Sequence, residues 1–226
     1  MVELAGPPPA DYTVPEAVRA LVSGQQFELV WLNLEGGLTL RLGDDRYLKW
    51  SPTPLTGEIE RLLWAARYHP VPALLEHGTD WMLTTAIDAT SAVDADAATA
   101  ARALGEGLRA LHDALPVDGC PFEWSAESRG GSGVPPIDRL VVCHGDACVP
   151  NTLVDARGQW VAHVDLGRLG LADPWADLAV ASMSLGWNFG DGFETDFFEA
   201  YGIERDELRI RFYRDLWNQP DVKIEA

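Results

Sequence analysis

Two apolar runs that each end in a polar side chain constrain this chain more than any other feature. Leu140-Val141-Val142-Cys143 runs into His144-Gly145-Asp146, and Gln159 to Val164 runs into Asp165-Leu166-Gly167. Both runs are rich in β-branched or aromatic residues and read as strands. Between them lie Cys148-Val149-Pro150-Asn151, a stretch from Thr152 to Asp155 and a turn at Ala156-Arg157-Gly158. A fold for this chain must hold two carboxylates and an amide, Asp146, Asp165 and Asn151, at strand ends, where stiff backbone presents polar groups.

The spacing His-x-Asp-x-x-x-x-Asn, followed by Asp-x-Gly, carries a definite chemistry. In phosphoryl transfer an Asp orients or accepts the proton of a hydroxyl, and an Asn further along the same loop reaches a metal. A second Asp then holds Mg2+ against the phosphates, because a hard cation prefers oxygen ligands. The pattern resembles the protein-kinase catalytic loop and its following Asp-Phe-Gly, with Gly145 where an Arg is usual.

Such chemistry also needs a cation for the phosphates. Lys49, in Tyr47-Leu48-Lys49-Trp50, is the only lysine before residue 223. The helix that follows offers Glu60 as its partner, with Glu58 as the competitor on a different face. A solvated strand lysine is the plain alternative. Gly36-Gly37 joins the first two strands, where a kinase covers the phosphates, although an ordinary hairpin turn explains the same glycines. Thr85, Ala86 and Ile87 lead out of the sheet, where backbone groups would meet an adenine edge.

The N-terminal third reads as a sheet with one main helix. Residues 1–13 hold consecutive prolines and suggest a loose arm or an extended lead-in. A short helix is expected over Val14 to Leu21. Strands are expected at Phe27 to Leu32, Leu38 to Leu42, Arg46 to Trp50, Ala73 to His77 and Trp81 to Ile87, with the main helix at Gly57 to Tyr68. The later part reads as mostly helical. A long helix is expected over Asp94 to Leu115, with Leu104, Leu108 and Leu111 on one face. Three more are expected at Pro174 to Trp187, Phe193 to Tyr201 and Asp206 to Trp217. Asp173 serves as an N-cap, and Gly186 and Gly202 mark helix ends. Ser128 to Pro136 has the composition of a flexible connector, and Pro220 to Ala226 that of a frayed tail.

Charge narrows the partners. The chain has 17 basic and 35 acidic residues, a net charge of −18. Nucleic acid and anionic membrane are disfavoured, and a cationic small molecule is favoured. No apolar run is long enough to span a bilayer. The first residues lack the pattern of a signal peptide, so the expected location is cytoplasmic. Three cysteines give no disulfide framework, and Cys143, His144 and Cys148 make a poor zinc set without a fourth ligand.

Leu140 to Asp146, Pro150-Asn151, Val164 to Gly170, Ala172-Asp173, Ala176 to Ala179, Tyr201-Gly202-Ile203 and Arg211-Phe212-Tyr213 together resemble the aminoglycoside phosphotransferases of the 3′ and 3″ type. The Leu115-Pro116 to Glu123 stretch is similar as well. The resemblance implies an α+β, two-lobed, protein-kinase-like fold. Residues 1–87 would form an N-terminal nucleotide-binding lobe with a five-stranded antiparallel sheet and one main helix. Residues 88–226 would form a mostly helical catalytic and substrate-binding lobe. It implies ATP and Mg2+ as cofactors, Asp146 as the catalytic Asp, Asn151 and Asp165 as Mg2+ ligands, and Lys49 on the ATP phosphates with Glu60 behind it. It implies Asp177 as an anchor for the catalytic-loop backbone, His144 as an orienter, and Arg168 paired with a site carboxylate. The acceptor would be a hydroxyl of a cationic aminoglycoside, on a monomer or weak dimer; another small amino sugar or alcohol, or binding with little turnover, are the competing readings. The family's helical substrate-binding insert is reduced here to Trp124 to Pro136. Asp215, Glu199, Asp191 and Arg168 are the remaining candidates for contacting substrate.

Overall fold

The computed structural model describes residues 5–126 and 129–219. Ser128 and the expected tail from Pro220 lie outside the described residues. Contacts divide the chain into two compact units, Met1–Leu63 with Pro72–Ile87, and Trp64–Val71 with Asp88–Ala226.

The first unit is built on an antiparallel sheet. After α1 (Glu16–Val22) come β1 (Phe27–Leu32), β2 (Leu38–Leu42) and β3 (Arg46–Trp50), then α2 (Thr56–Ala65), β4 (Leu74–His77) and β5 (Trp81–Thr85). The spatial order is β1-β2-β3-β5-β4. Alternation in β2 puts Leu38, Leu40 and Leu42 on one face, where they bury with Leu48, Val18 and Val22. Each such burial stabilises by about 1.5–3 kcal/mol. From Gly6 onward the N-terminal stretch is an extended lead-in rather than a loose arm. Gly6 exchanges two backbone hydrogen bonds with Leu32, at 3.1 and 2.8 Å, and Tyr12 and Val14 pack on the leucine core. The unpaired edge of β1 supplies those backbone partners.

The second unit is mostly helical. It contains β6 (Thr90–Ser91), α3 (Ala97–Ala114), β7 (Val141–Cys143), β8 (Thr152–Val154), β9 (Trp160–His163), β10 (Gly170–Ala172), α4 (Trp175–Phe189), α5 (Glu194–Tyr201) and α6 (Glu207–Trp217). Asp96 caps α3 by accepting the Thr99 N–H at 3.1 Å, Leu104 and Leu108 turn into a core shared with α4, α5 and α6, and Leu111 is fully buried. Asp173 accepts the Trp175 N–H at 3.0 Å at the start of α4. Arg214 of α6 donates to Ser182 of α4 and Glu194 at the start of α5, at 2.7 and 2.6 Å, tying three helices together.

Two expectations change. Gly186 is not a helix end: α4 continues to Phe189, and Gly190 takes the positive φ of 80°. The two strands that lead to Asp146 and Asp165 do not pair with each other. β7 pairs with β10, and β9 pairs with β8, which pairs with β6. The connector is pinned rather than loose. The Arg129 guanidinium lies 4.3 Å from the Trp124 ring centre, the Gly131 N–H bonds the Ala126 carbonyl at 2.8 Å, and the Pro136 carbonyl accepts from Arg209 at 2.8 Å. Composition reports the freedom of an isolated segment, not the contacts that remove it. Among the described residues no helix is long and apolar enough to cross a membrane.

Candidate active site

The loop after β7 is held by buried polar contacts from several sides. Asp177, on the first turn of α4, accepts the backbone N–H of His144 at 2.6 Å through Oδ2 and that of Gly145 at 2.9 Å through Oδ1. His112 of α3 reaches the same Oδ2 through Nε2 at 3.0 Å, while its Nδ1 lies 2.8 Å from the Tyr201 hydroxyl. Complete burial pushes the Asp177 carboxyl up, but the His112 hydrogen bond and charge, His144 and the Gly145 N–H outweigh it, and the carboxyl sits below the usual aspartate range. A charged acceptor inside the helical core therefore fixes the loop where it leaves the strand.

Gly145 shows why this loop carries glycine where a kinase commonly carries Arg. Its φ is 81°, and a Cβ there would run into the Arg168 backbone carbonyl. No side chain fits, so the slot belongs to backbone.

Below Gly145 the loop closes on itself. The His144 ring bonds the Val164 carbonyl through Nε2 at 3.0 Å, tying the first loop to the second. The Asp146 carbonyl accepts the Cys148 N–H at 2.8 Å and the Asn151 side-chain N–H at 2.9 Å. The Val164 N–H donates to the Asn151 carbonyl at 3.0 Å, one residue before Asp165. These bonds bring Asp146, Asn151 and Asp165 into one locality, with Asp146 half-buried and Asp165 exposed. Asp165 holds a φ of 61°, uncommon for a residue with a side chain. β9 stops at His163, so Asp165 stands on a turn beyond the strand rather than at its end.

This donor set fits a hard cation. The Asn151 amide nitrogen is committed to the Asp146 carbonyl, which leaves its oxygen as the ligand atom, and Asp165 brings a carboxylate on an exposed residue. A second group of possible ligands, His112, Cys143 and Asp177, lies within 4.8 Å but is fully buried, and its atoms are engaged in the loop-holding bonds and in a Cys143 contact to the Asp173 carbonyl.

In the sheet unit, Lys49 pairs with Glu58 at 2.8 and 2.9 Å, with both side chains largely covered. The expected pairing with Glu60 is not formed, and Glu60 is exposed. Positions 58 and 60 point to different sides of a helix, and α2 turns Glu58 toward the sheet. Gly36 and Gly37 belong to a closed hairpin: the Gly37 N–H bonds Asn33 Oδ1 at 2.6 Å, and a Cβ on Gly37 would meet the Asn33 amide. Thr85 and Ala86 are also engaged. The Ala86 N–H donates to the Asp45 carbonyl at 2.7 Å, and the Thr85 hydroxyl accepts the Ala73 N–H at 3.0 Å. Ile87 follows at the end of this unit.

The substrate candidates sit on separate elements: Asp191 in the loop after α4, Glu199 on α5 and Asp215 on α6, all exposed. Arg168 places its guanidinium 5.4 Å from the Trp217 ring centre at the end of α6. Two residues around the site had no functional reading in the sequence, His112 and Ser184, and Cys148 was weighed only as a zinc ligand. The His112 signal was its place one helical turn from Leu108 on the buried face of α3. Ser184 Oγ accepts the Val149 N–H at 2.9 Å, and nothing near it in sequence announces that contact.

The model of the phosphotransferase enzyme family matches residues 17–131 and 132–213. The chain is 34% identical to an aminoglycoside 3′-phosphotransferase of Streptomyces fradiae, with 72% of this chain and 78% of that protein covered. It is 31% identical to the streptomycin 3″-kinase of Streptomyces griseus, over 80% and 87% respectively. It superposes on the aminoglycoside phosphotransferase APH(3″)-Id of Streptomyces rimosus with a TM-score of 0.73 and 27% identity, covering 90% of this chain and 98% of that one. That protein has also been solved in complex with ADP and streptomycin.

Proposed function

Because the chain belongs to the phosphotransferase enzyme family, we propose that it moves the γ-phosphate of ATP to a hydroxyl of a cationic aminoglycoside. The observation that carries this reading is the buttressed loop that presents Asp146 beside Asn151 and Asp165. Asp146 orients the acceptor hydroxyl and takes its proton as the oxygen attacks phosphorus. Asn151 and Asp165 hold Mg2+, which when bound draws off negative charge on the phosphates. Lys49, kept in place by Glu58, neutralises phosphate charge from the sheet unit. Residues 1–87 then serve the nucleotide, with Gly36-Gly37 over the phosphates and the backbone of residues 85–87 at the adenine edge. Since the Ala86 N–H is already used, the adenine meets other backbone groups of that stretch. Residues 88–226 serve the acceptor, with Asp191, Glu199, Asp215 and Arg168 as contacts. Positioning and electrostatics supply most of the acceleration, and the net charge of −18 draws in a polycation.

A coupled ADP-release assay over a panel of aminoglycosides, amino sugars and small amino alcohols tests this. Aminoglycosides should stimulate ADP release in the wild type. Asp146→Ala should lower that turnover by roughly 100- to 10,000-fold while ATP still binds. Wild-type turnover in Asp146→Ala sinks the catalytic assignment. Stimulation by amino alcohols alone overturns the acceptor and leaves the phosphotransfer.

A further inference from the structure

Cys148 stands two residues beyond Asp146 and holds it at both ends. Its backbone N–H donates to the Asp146 carbonyl at 2.8 Å, and its thiol donates to Asp146 Oδ1 at 3.1 Å. Its own carbonyl accepts the Asn151 N–H at 3.0 Å. The residue thus joins the proposed base to the proposed metal ligand through one turn.

Ser184 Oγ on α4 accepts the Val149 N–H at 2.9 Å, which holds the backbone next to Cys148. The Cys148 thiol is the donor in its contact with Asp146, because a carboxylate oxygen only accepts.

We propose that Cys148 is a positioning residue for phosphoryl transfer, whose thiol fixes one oxygen of Asp146 and leaves the other to face the acceptor hydroxyl. The proposal rests on the reading of Asp146 as the base. The carboxylate of a short side chain rotates about its last bond, and a base swinging through several orientations meets the hydroxyl in only some of them. The Cys148–Asp146 contact removes that rotation without neutralising the carboxylate.

Steady-state kinetics on Cys148→Ala and Cys148→Ser test the idea. Cys148→Ala should lower kcat about tenfold with both KM values within about twofold, the loss of one orienting hydrogen bond. Cys148→Ser, which keeps a donor, should recover kcat to within about threefold of wild type. An unchanged kcat in Cys148→Ala, or no recovery by Ser, overturns the proposal. A second readout needs no turnover. Asp146→Asn should speed alkylation of Cys148 by iodoacetamide at pH 8 about fivefold, followed by mass spectrometry with Cys120 as internal reference. An unchanged rate refutes the contact. If the wild type phosphorylates no acceptor, the functional reading fails while the alkylation result still decides whether Cys148 holds Asp146.

Discussion

His112 Nε2 and Asp177 Oδ2 meet at 3.0 Å inside the helical unit, with the His112 side chain fully covered and that of Asp177 at 1% exposure. The same carboxylate takes the His144 and Gly145 N–H groups. One side chain on α4 therefore serves a helix side chain and a loop backbone together.

Asp177→Asn tests that arrangement. The amide keeps one oxygen and turns an N–H toward a donor, so a buried N–H loses its acceptor. Unfolding in urea should show a loss of about 2–4 kcal/mol, and kcat should fall because the Asp146 loop is no longer fixed. An unchanged urea midpoint contradicts the role given to Asp177.

Lys49 and its partner give a direct contrast between neighbours on α2. Glu58→Gln should lower kcat/KM for ATP by about 10- to 100-fold, and Lys49→Ala by at least as much, through loss of an oriented charge. Glu60→Gln should stay within about twofold of wild type, since Glu60 is exposed. A loss confined to Glu60→Gln would falsify the Lys49–Glu58 assignment.

His69 predicts a pH dependence of stability. Its Nε2 lies 2.9 Å from His163 Nδ1, and Trp160 stacks on its ring. Burial first, then the charges of His144 and His112, lower its pKa from 6.5 to about 4. The folded chain keeps His69 neutral while the unfolded chain protonates it below pH 6.5, so the unfolded state binds more protons and stability falls as pH drops. Between pH 7.5 and 5 this residue alone should remove about 2 kcal/mol. Urea unfolding at both pH values measures it, and His69→Gln should flatten the slope. An equal slope in wild type and variant removes His69 from the account.

The parts of this molecule that depend on neighbouring residues were open to reading from its sequence. β1 to β3 begin and end where alternation and the Gly36-Gly37 and Gly43-Asp44 turns place them, because a hairpin is decided within a dozen residues. The spacing of Asp146, Asn151 and Asp165 was legible for the same reason. β10 was not: Gly170–Ala172 is three residues long, and only its pairing with β7 makes it a strand. The choice of Glu58 over Glu60 depends on how α2 docks, which no local pattern carries. The role of His112 was not legible, since its partners are Asp177 and Tyr201, far along the chain. Cys148 lay in plain view beside Asp146, but its thiol contact to Asp146 Oδ1 appears only once the loop is folded.

The anchored connector has a consequence for engineering and for divergence among relatives. Arg129 on Trp124 closes one end, and the Pro136 carbonyl on Arg209 closes the other. Between them Ser132 and Gly133 are exposed, and a Cβ on Gly133 would enter open space. Lengthening a loop whose ends are already tied down costs only about 0.6 kcal/mol per doubling. The apex at Ser132-Gly133 is therefore a cassette port: foreign segments can be grafted there while the clamps isolate the helical core from their length.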